Sequence, residues 1–365
     1  MIATGLARVC ADAGLLGPGW PAARFGLITN HTGVLPDLTP GAVALRTAGV
    51  PLVALYGPEH GLHGTAQAGF TEDATVDPDT GLPVYETYRA PLDELVSHVD
   101  TLLFDIQDVG TRCYTYVWTM ADLMAAAGRT GKRFVVLDRP NPIGGAVEGP
   151  LLDPAFASFV GRYPIPLRHG LTVGELARWL CRHIDVELTV VGMTGWRRSC
   201  WGDATGLPWV MPSVNLPTVD TALGYPGTVL FEGTNVCEGR GTTRPFELLG
   251  ASYVDGRWVS ALRGAGLPGV LFRDVRFTPW GGTPVRGVQL HVVDRRAFRP
   301  VVTALEMLRQ LRALYPVDFA WRDSIDRLWG SATLRQVVDA DSDPASLLVD
   351  APVDVSWAGD ALLYG

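Results

Sequence analysis

Thr101 to Asp138 reads TLLFDIQDVGTRCYTYVWTMADLMAAAGRTGKRFVVLD. Its ends, Thr101-Leu-Leu-Phe-Asp105 and Arg133-Phe-Val-Val-Leu-Asp138, are short apolar runs of the kind buried on both faces of a parallel sheet. Between them, Tyr116 to Gly128 has the length and apolar spacing of a helix, and it ends at a glycine that suits a helix C-terminus. The span is therefore a βαβ unit. Towards the N-terminus, Leu52-Val-Ala-Leu-Tyr56 and Phe25-Gly-Leu-Ile-Thr29 read as two further strands of the same type, with helices expected at Gly41 to Ala48 and Leu92 to Val99. Towards the C-terminus, Thr172 and Glu175 have the spacing of a capping box, followed by Leu176, Ala177, Leu180 and Ile184 as an apolar face. Val186 to Val191 then extends the sheet. The fold class is α/β, a doubly wound parallel sheet. Beyond about residue 200 the rhythm changes to loop text rich in Gly, Pro, Trp and Thr. A strand at Gly287 to Val293 and a long helix at Val301 to Leu314 follow. This predicts an α/β domain over residues 1–200 that carries most of the site, and a smaller α+β domain over 201–365 that closes the cleft.

Composition narrows the function. Hydrophobic residues at 47% and charged residues at 19% exclude a disordered scaffold. Thirty Lys+Arg against 38 Asp+Glu give a net charge of −8, without the basic footprint of a nucleic-acid binder. Cys10, Cys113, Cys181, Cys200 and Cys237 are scattered and form no C-x-x-C pair, which argues against a disulfide framework or a zinc knuckle. No continuous apolar stretch is long enough to span a membrane. The first residues carry no Lys or Arg ahead of an apolar segment, so no leader is legible and the expected compartment is cytoplasmic, or periplasmic or secreted if a leader has been removed.

In open parallel sheets, ligands bind outside the carboxyl ends of the strands. The residues following each strand here are ionisable or polar: Asn30-His31-Thr32-Gly33, Gly57-Pro-Glu59-His60-Gly61, Asp105-Ile-Gln-Asp108 and Asp138-Arg139-Pro-Asn141. One such loop is ordinary turn chemistry; a succession along one sheet edge predicts a site. There is no G-x-G-x-x-G, no phosphate-binding G-x-x-x-x-G-K-[ST] and no G-x-S-x-G elbow, so nucleotide and serine-hydrolase chemistry lose their support. His60 and His63 stand in a glycine-rich loop, away from the helix that would hold two imidazoles on one face, so no metal is expected. Glu59 is the sharpest candidate. Framed by Pro58 and Gly61 at a strand end, it can be held at the mouth of a partly desolvated cleft, where a carboxyl becomes a competent general acid; the bland alternative is a salt-bridged loop glutamate. A second concentration, FEGTNVCEGRGTTRPFE from Phe231 to Glu247, carries too many charges to pack a core and either lines a cleft or pairs with itself at the surface. Glu148 is another framed carboxylate. Trp196, Trp201, Trp209, Tyr225 and Trp280 offer flat surfaces for a sugar ring, or core packing.

The strings FGLITNHTG, LYGPEHGLHG, LLFDIQDVGTRCYTY, VVLDRPNPIGG, VEGPLLD, PIPLRHGLTVGELA, GLPWVMPSVNLPT, YPGTVLFEGTNVCEGRGTTRPFELLGA and GVQLHVVD, in this order, resemble the NamZ-like exo-β-N-acetylmuramidase family, formerly a domain of unknown function. The resemblance spans roughly residues 24 to 330. It implies a Rossmann-like N-terminal domain, a smaller C-terminal domain and a cleft between them. The implied reaction is hydrolytic release of N-acetylmuramic acid from the non-reducing end of peptidoglycan fragments, with no nucleotide or metal cofactor. On this resemblance Glu59 is the catalytic acid, while Asn30, His31, His60, Asp105, Asp108, Arg139, Asn141, Glu148, His169, Asn215, Glu232, Asn235, Glu238, Arg240 and Arg244 line the pocket. Two positions depart from the family pattern: His63 stands where an arginine is usual, and Val214 where a proline is.

Glycoside hydrolysis also needs a group to meet the oxocarbenium-like carbon: a carboxylate nucleophile, a carboxylate base, or the substrate's own acetamido group. Glu238 is the first choice for that second carboxylate, ahead of Glu232, Glu148 and Asp105. Arg139, Arg240 or Arg244 is expected to hold the lactyl carboxylate through a bidentate fork. The competing reading is a non-catalytic muropeptide-binding protein using the same cleft.

Overall fold

The structure, a computed structural model, describes residues 2–67, 69–72, 75–88 and 90–365. Six strands, β1 (Phe25–Thr29), β2 (Leu52–Gly57), β3 (Val84–Glu86), β4 (Thr101–Asp105), β5 (Arg133–Leu137) and, after the antiparallel pair of β6 (Glu148–Leu151) and β7 (Pro166–Arg168), β8 (Glu187–Val191), form a parallel sheet, of which all but the three-residue β3 were expected from the sequence. Their order is β3-β2-β1-β4-β5-β8, so the chain reverses its direction of travel between β1 and β4. β1 and β4 are buried along their whole length, as apolar runs covered by helices on both faces must be.

The helix of Tyr116–Arg129 runs past its expected glycine end. Gly128 serves close packing: a Cβ there would lie 2.0 Å from the Asp185 carbonyl oxygen. The chain turns instead through the left-handed Gly131 (φ 65°). The capping box at Thr172 forms as read, with the Thr172 hydroxyl accepting from Glu175 N–H and the Glu175 carboxylate accepting from Thr172 N–H. The C-terminal part builds on β9 (Leu248–Ala251), β10 (Val270–Phe277) and β11 (Val285–Val292), an antiparallel sheet of order β10-β11-β9 against which the helix of Gly256–Gly264 packs, with the helix of Pro300–Leu314 packed on that helix.

Buried polar groups hold the two parts together. Glu148 accepts a hydrogen bond from Val301 N–H at 3.1 Å, at the start of the long C-terminal helix, and pairs with Arg168 (3.1 Å) and Arg299 (3.2 Å). Arg112 is fully buried and donates to the carbonyls of Pro150, Ile165, Leu328 and Trp329. The last residues return to the first layer, where Tyr364 donates its hydroxyl to Asp138 (2.6 Å) and Leu363 N–H donates to Glu175 (2.8 Å). Among the described residues, no helix is long and apolar enough to cross a membrane.

Candidate active site

Glu59 follows β2 by two residues and is buried, 7% exposed. The loop around it is tightly determined. His60 takes a left-handed conformation (φ 74°), which a non-glycine residue holds only when its surroundings enforce it. Its N–H donates to the Phe70 carbonyl, and its Nδ1 contacts the Ala66 carbonyl oxygen at 2.8 Å. Farther along the loop, Glu72 accepts from His63 N–H, Thr65 N–H and the Thr65 hydroxyl. Glu59 itself is held at both oxygens: Gly69 N–H donates to Oε1 and the Thr115 hydroxyl to Oε2, each at 2.6 Å. Thr115 stands at the N-terminus of the Tyr116–Arg129 helix yet does not cap it, because its hydroxyl is turned to Glu59.

Glu59 opens into a cleft that it lines together with His60, Thr115, Asn215, Glu232 and Arg240. The opposite wall comes from the turn of Val229–Gly233 and the loop after it. There Arg240 bridges two carboxylates, Glu232 at 2.8 Å and Glu238 at 2.6 Å, with its guanidinium 5.0 Å from the Phe246 ring centre. Burial raises the pKa of Glu232 above the usual glutamate range, against the opposing pull of Arg240. The cleft also holds Cys113, whose thiol burial pushes up to about 12, so it stays protonated at neutral pH and is not a nucleophile. Two carboxylates lining one cleft, one fixed by neutral donors and the other by an arginine, are the equipment of acid–base chemistry on a neutral bond.

The family model for the N-terminal part of exo-β-N-acetylmuramidase NamZ matches residues 25–220, and that for its C-terminal part matches residues 223–352. The chain belongs to this family. It is 48% identical over 330 residues to the peptidoglycan β-N-acetylmuramidase NamZ of Bacillus subtilis strain 168, covering 87% of this chain and 80% of that protein. Two crystal structures of DUF1343 family proteins from Bacteroides fragilis NCTC 9343 are similar over 100% of this chain and 99% of theirs. One is 32% identical with a TM-score of 0.85, the other 28% identical with a TM-score of 0.81. Membership of the NamZ family makes the chain a glycoside hydrolase.

The NamZ-family fold brings together part of the residue set expected from the sequence. Glu59, His60, Asn215, Glu232 and Arg240 line the one cleft. Asn30 and His31 line a neighbouring, more apolar cavity together with His63, and His31 Nε2 contacts the Met211 carbonyl oxygen at 2.6 Å. Asp105 and Arg139 form a buried two-pronged ion pair (2.6 and 2.9 Å), and His169 lies 3.2 Å from Asp108 in the interior. Asn141 ties Leu171 O to Ile143 N–H. Glu148 is the clamp on the C-terminal helix described above, and Asn235 fastens Asp318, Ala320 and Tyr253 to one another. Arg244 sits in a separate pocket beside Glu247, 3.3 Å away.

Glu238, the first choice for second carboxylate, supports Arg240 and is not among the residues lining the cleft; Glu232 is. Of the three arginines expected for the lactyl carboxylate, Arg139 is engaged at both prongs by Asp105 and Arg240 is shared between Glu232 and Glu238, whereas Arg244 is half-exposed and makes a single 3.3 Å contact to Glu247. Of the aromatic residues, Trp196 and Tyr225 are buried and Trp201 and Trp209 pack against the core. Trp280 is 70% exposed, with its backbone N–H donating to the Arg240 carbonyl. Sequence reading missed Thr115 and Gly69. A threonine at a helix start reads as a cap and a glycine in a loop as a turn; no spacing singles them out.

Proposed function

We propose that this chain is an exo-acting β-N-acetylmuramidase that releases N-acetylmuramic acid from the non-reducing end of peptidoglycan fragments, with Glu59 as general acid and Glu232 as the second carboxylate. The observation that carries this reading is the pairing of Glu59 and Glu232 in one cleft of a NamZ-family fold. Gly69 N–H can only donate, so Oε1 of Glu59 is an acceptor in every protonation state. The proton to be delivered therefore belongs on Oε2, where the Thr115 hydroxyl can reverse its bond and accept. Arg240 keeps Glu232 ionised beside the developing positive charge, as a base for water or as an anchor for the acetamido group.

The direct test is release of 4-nitrophenol from 4-nitrophenyl β-N-acetylmuramide, run beside the N-acetylglucosaminide. Turnover of the muramide alone, undiminished by chelator, is expected. Tight binding of N-acetylmuramic acid without turnover of either compound would instead identify a muropeptide-binding protein.

The pH profile follows from the same arrangement. Glu232 must be ionised to act, and burial raises its pKa, so the acidic limb of kcat/KM should lie above the ordinary glutamate range. Arg240→Gln removes the charge that opposes this rise. The limb should then move to higher pH, by roughly 1–3 units for loss of an adjacent opposite charge. A limb that stays in place in the variant would remove Glu232 from the titration.

A further inference from the structure

We infer that the pocket walled by Phe159, Thr119 and Asp122 binds the leaving sugar, the N-acetylglucosamine that heads the remaining glycan strand, with its apolar face on the Phe159 ring; this deepens the glycosidase reading above and rests on it. Phe159 and Val160 line the catalytic cleft. They stand at the tip of a tight turn in the β6–β7 loop, closed by Ser158 N–H donating to the Gly161 carbonyl (2.7 Å) and Gly161 N–H donating to the Ser158 carbonyl (3.2 Å). Phe159 also lines a second pocket, together with Tyr88, Thr119, Asp122 and Arg162. Because Phe159 is only partly buried, the two spaces adjoin across its ring. On the side of Arg244 the cleft is shut, since the residue it shares with that pocket is Phe246, which is 2% exposed.

The acid points the same way. Its proton belongs on Oε2 of Glu59, which the Thr115 hydroxyl contacts, so the leaving oxygen sits on the Thr115 side of the cleft. Thr115, Thr119 and Asp122 follow one another at i, i+4 and i+7 along one face of the Tyr116–Arg129 helix, a span of roughly 10 Å at 1.5 Å per residue. From Thr111 to Met124 the chain is buried except at Thr119 and Asp122, so within that span this face opens only at the pocket. The walls suit a pyranose. Tyr88 packs edge-on against Phe159 with ring centres 5.0 Å apart, which fixes the platform. Asp122 pairs with Arg162 at 2.7 Å, and each side chain is about a third exposed, offering an acceptor and donors to ring hydroxyls. Neutral as a pair, they match an uncharged sugar that is apolar on its faces and polar at its edge.

The test measures affinity for N-acetylmuramic acid and for the disaccharide N-acetylmuramyl-β-1,4-N-acetylglucosamine, in a Glu59→Gln background that spares the disaccharide. Phe159→Ala should lose roughly 5- to 50-fold in affinity for the disaccharide, while affinity for N-acetylmuramic acid stays within about twofold. Thr119→Gln extends a longer side chain into the pocket from a helix position that is already open, and should give the same split with the platform intact. With Glu59 restored, each substitution should lower kcat/KM on the disaccharide to a similar extent. If Phe159→Ala loses its thermal transition, Thr119→Gln decides alone. An unchanged ratio between the two ligands overturns the assignment. Wild-type protein that turns over no disaccharide, while the ratio still shifts in the variants, would overturn the glycosidase reading and leave the sugar site standing, so the two failures are distinct.

Discussion

Glu59→Gln should lower kcat on a natural disaccharide, in which N-acetylglucosamine is the leaving group, by about 10²–10⁴-fold, and on the 4-nitrophenyl muramide by far less. The contrast comes from the leaving groups. A sugar hydroxyl departs poorly without a proton, whereas nitrophenolate departs without help, so only the first reaction exposes the missing acid. The substitution should leave the fold intact. Glutamine can turn its carbonyl oxygen to Gly69 N–H and its amide to the Thr115 hydroxyl, preserving both contacts that fix Glu59. KM should change little. Equal losses on the two substrates would instead make Glu59 a nucleophile or an electrostatic anchor, and the acid would have to be sought in Glu232.

The second large effect is on stability. Arg112 sits wholly inside the protein, forms no ion pair among the described residues, and donates through its two terminal nitrogens to four carbonyl oxygens. Burial lowers its pKa to about 10, so it remains charged at neutral pH. Arg112→Met keeps much of the volume but leaves the carbonyls of Pro150, Ile165, Leu328 and Trp329 without a donor. A loss of about 3–5 kcal/mol in urea unfolding is expected. Lysine should rescue little, since one ammonium cannot present the planar fork that reaches both segments. Because Leu328 lines the catalytic cleft, kcat/KM should fall in parallel. A methionine variant within about 1 kcal/mol of wild type would show that these carbonyls find other partners.

The sheet was legible because its strands are short apolar runs with few alternatives, and β1 and β4 match their expected limits residue for residue. The capping box at Thr172 was legible for a similar reason, being wholly local. Glu59 stood out because proline and glycine frame it. The division of labour among the other charged residues was not legible, because it depends on which partner each one meets across the fold. Glu148, equally well framed in sequence, clamps a helix start 153 residues away. Glu232 and Glu238 stand six residues apart in a single string and both pair with Arg240, and the sequence offers no means of telling which of them also lines the cleft. The donors that hold Glu59, a glycine N–H and a threonine hydroxyl, belong to the least informative residue types in the chain.

The return of the last residues to the first layer governs how the molecule is made on the ribosome. Asp138 closes β5 early in synthesis, and burial lifts its pKa to about 6, yet one of its hydrogen-bond donors is the Tyr364 hydroxyl, 226 residues downstream. Glu175 likewise awaits Leu363. The parallel layer can assemble its strands as they emerge, but its polar interior is completed only by residues 188 and 226 positions downstream. Until then the nascent layer carries an under-matched carboxylate at its heart, and the docking of the segment around Tyr364 completes it.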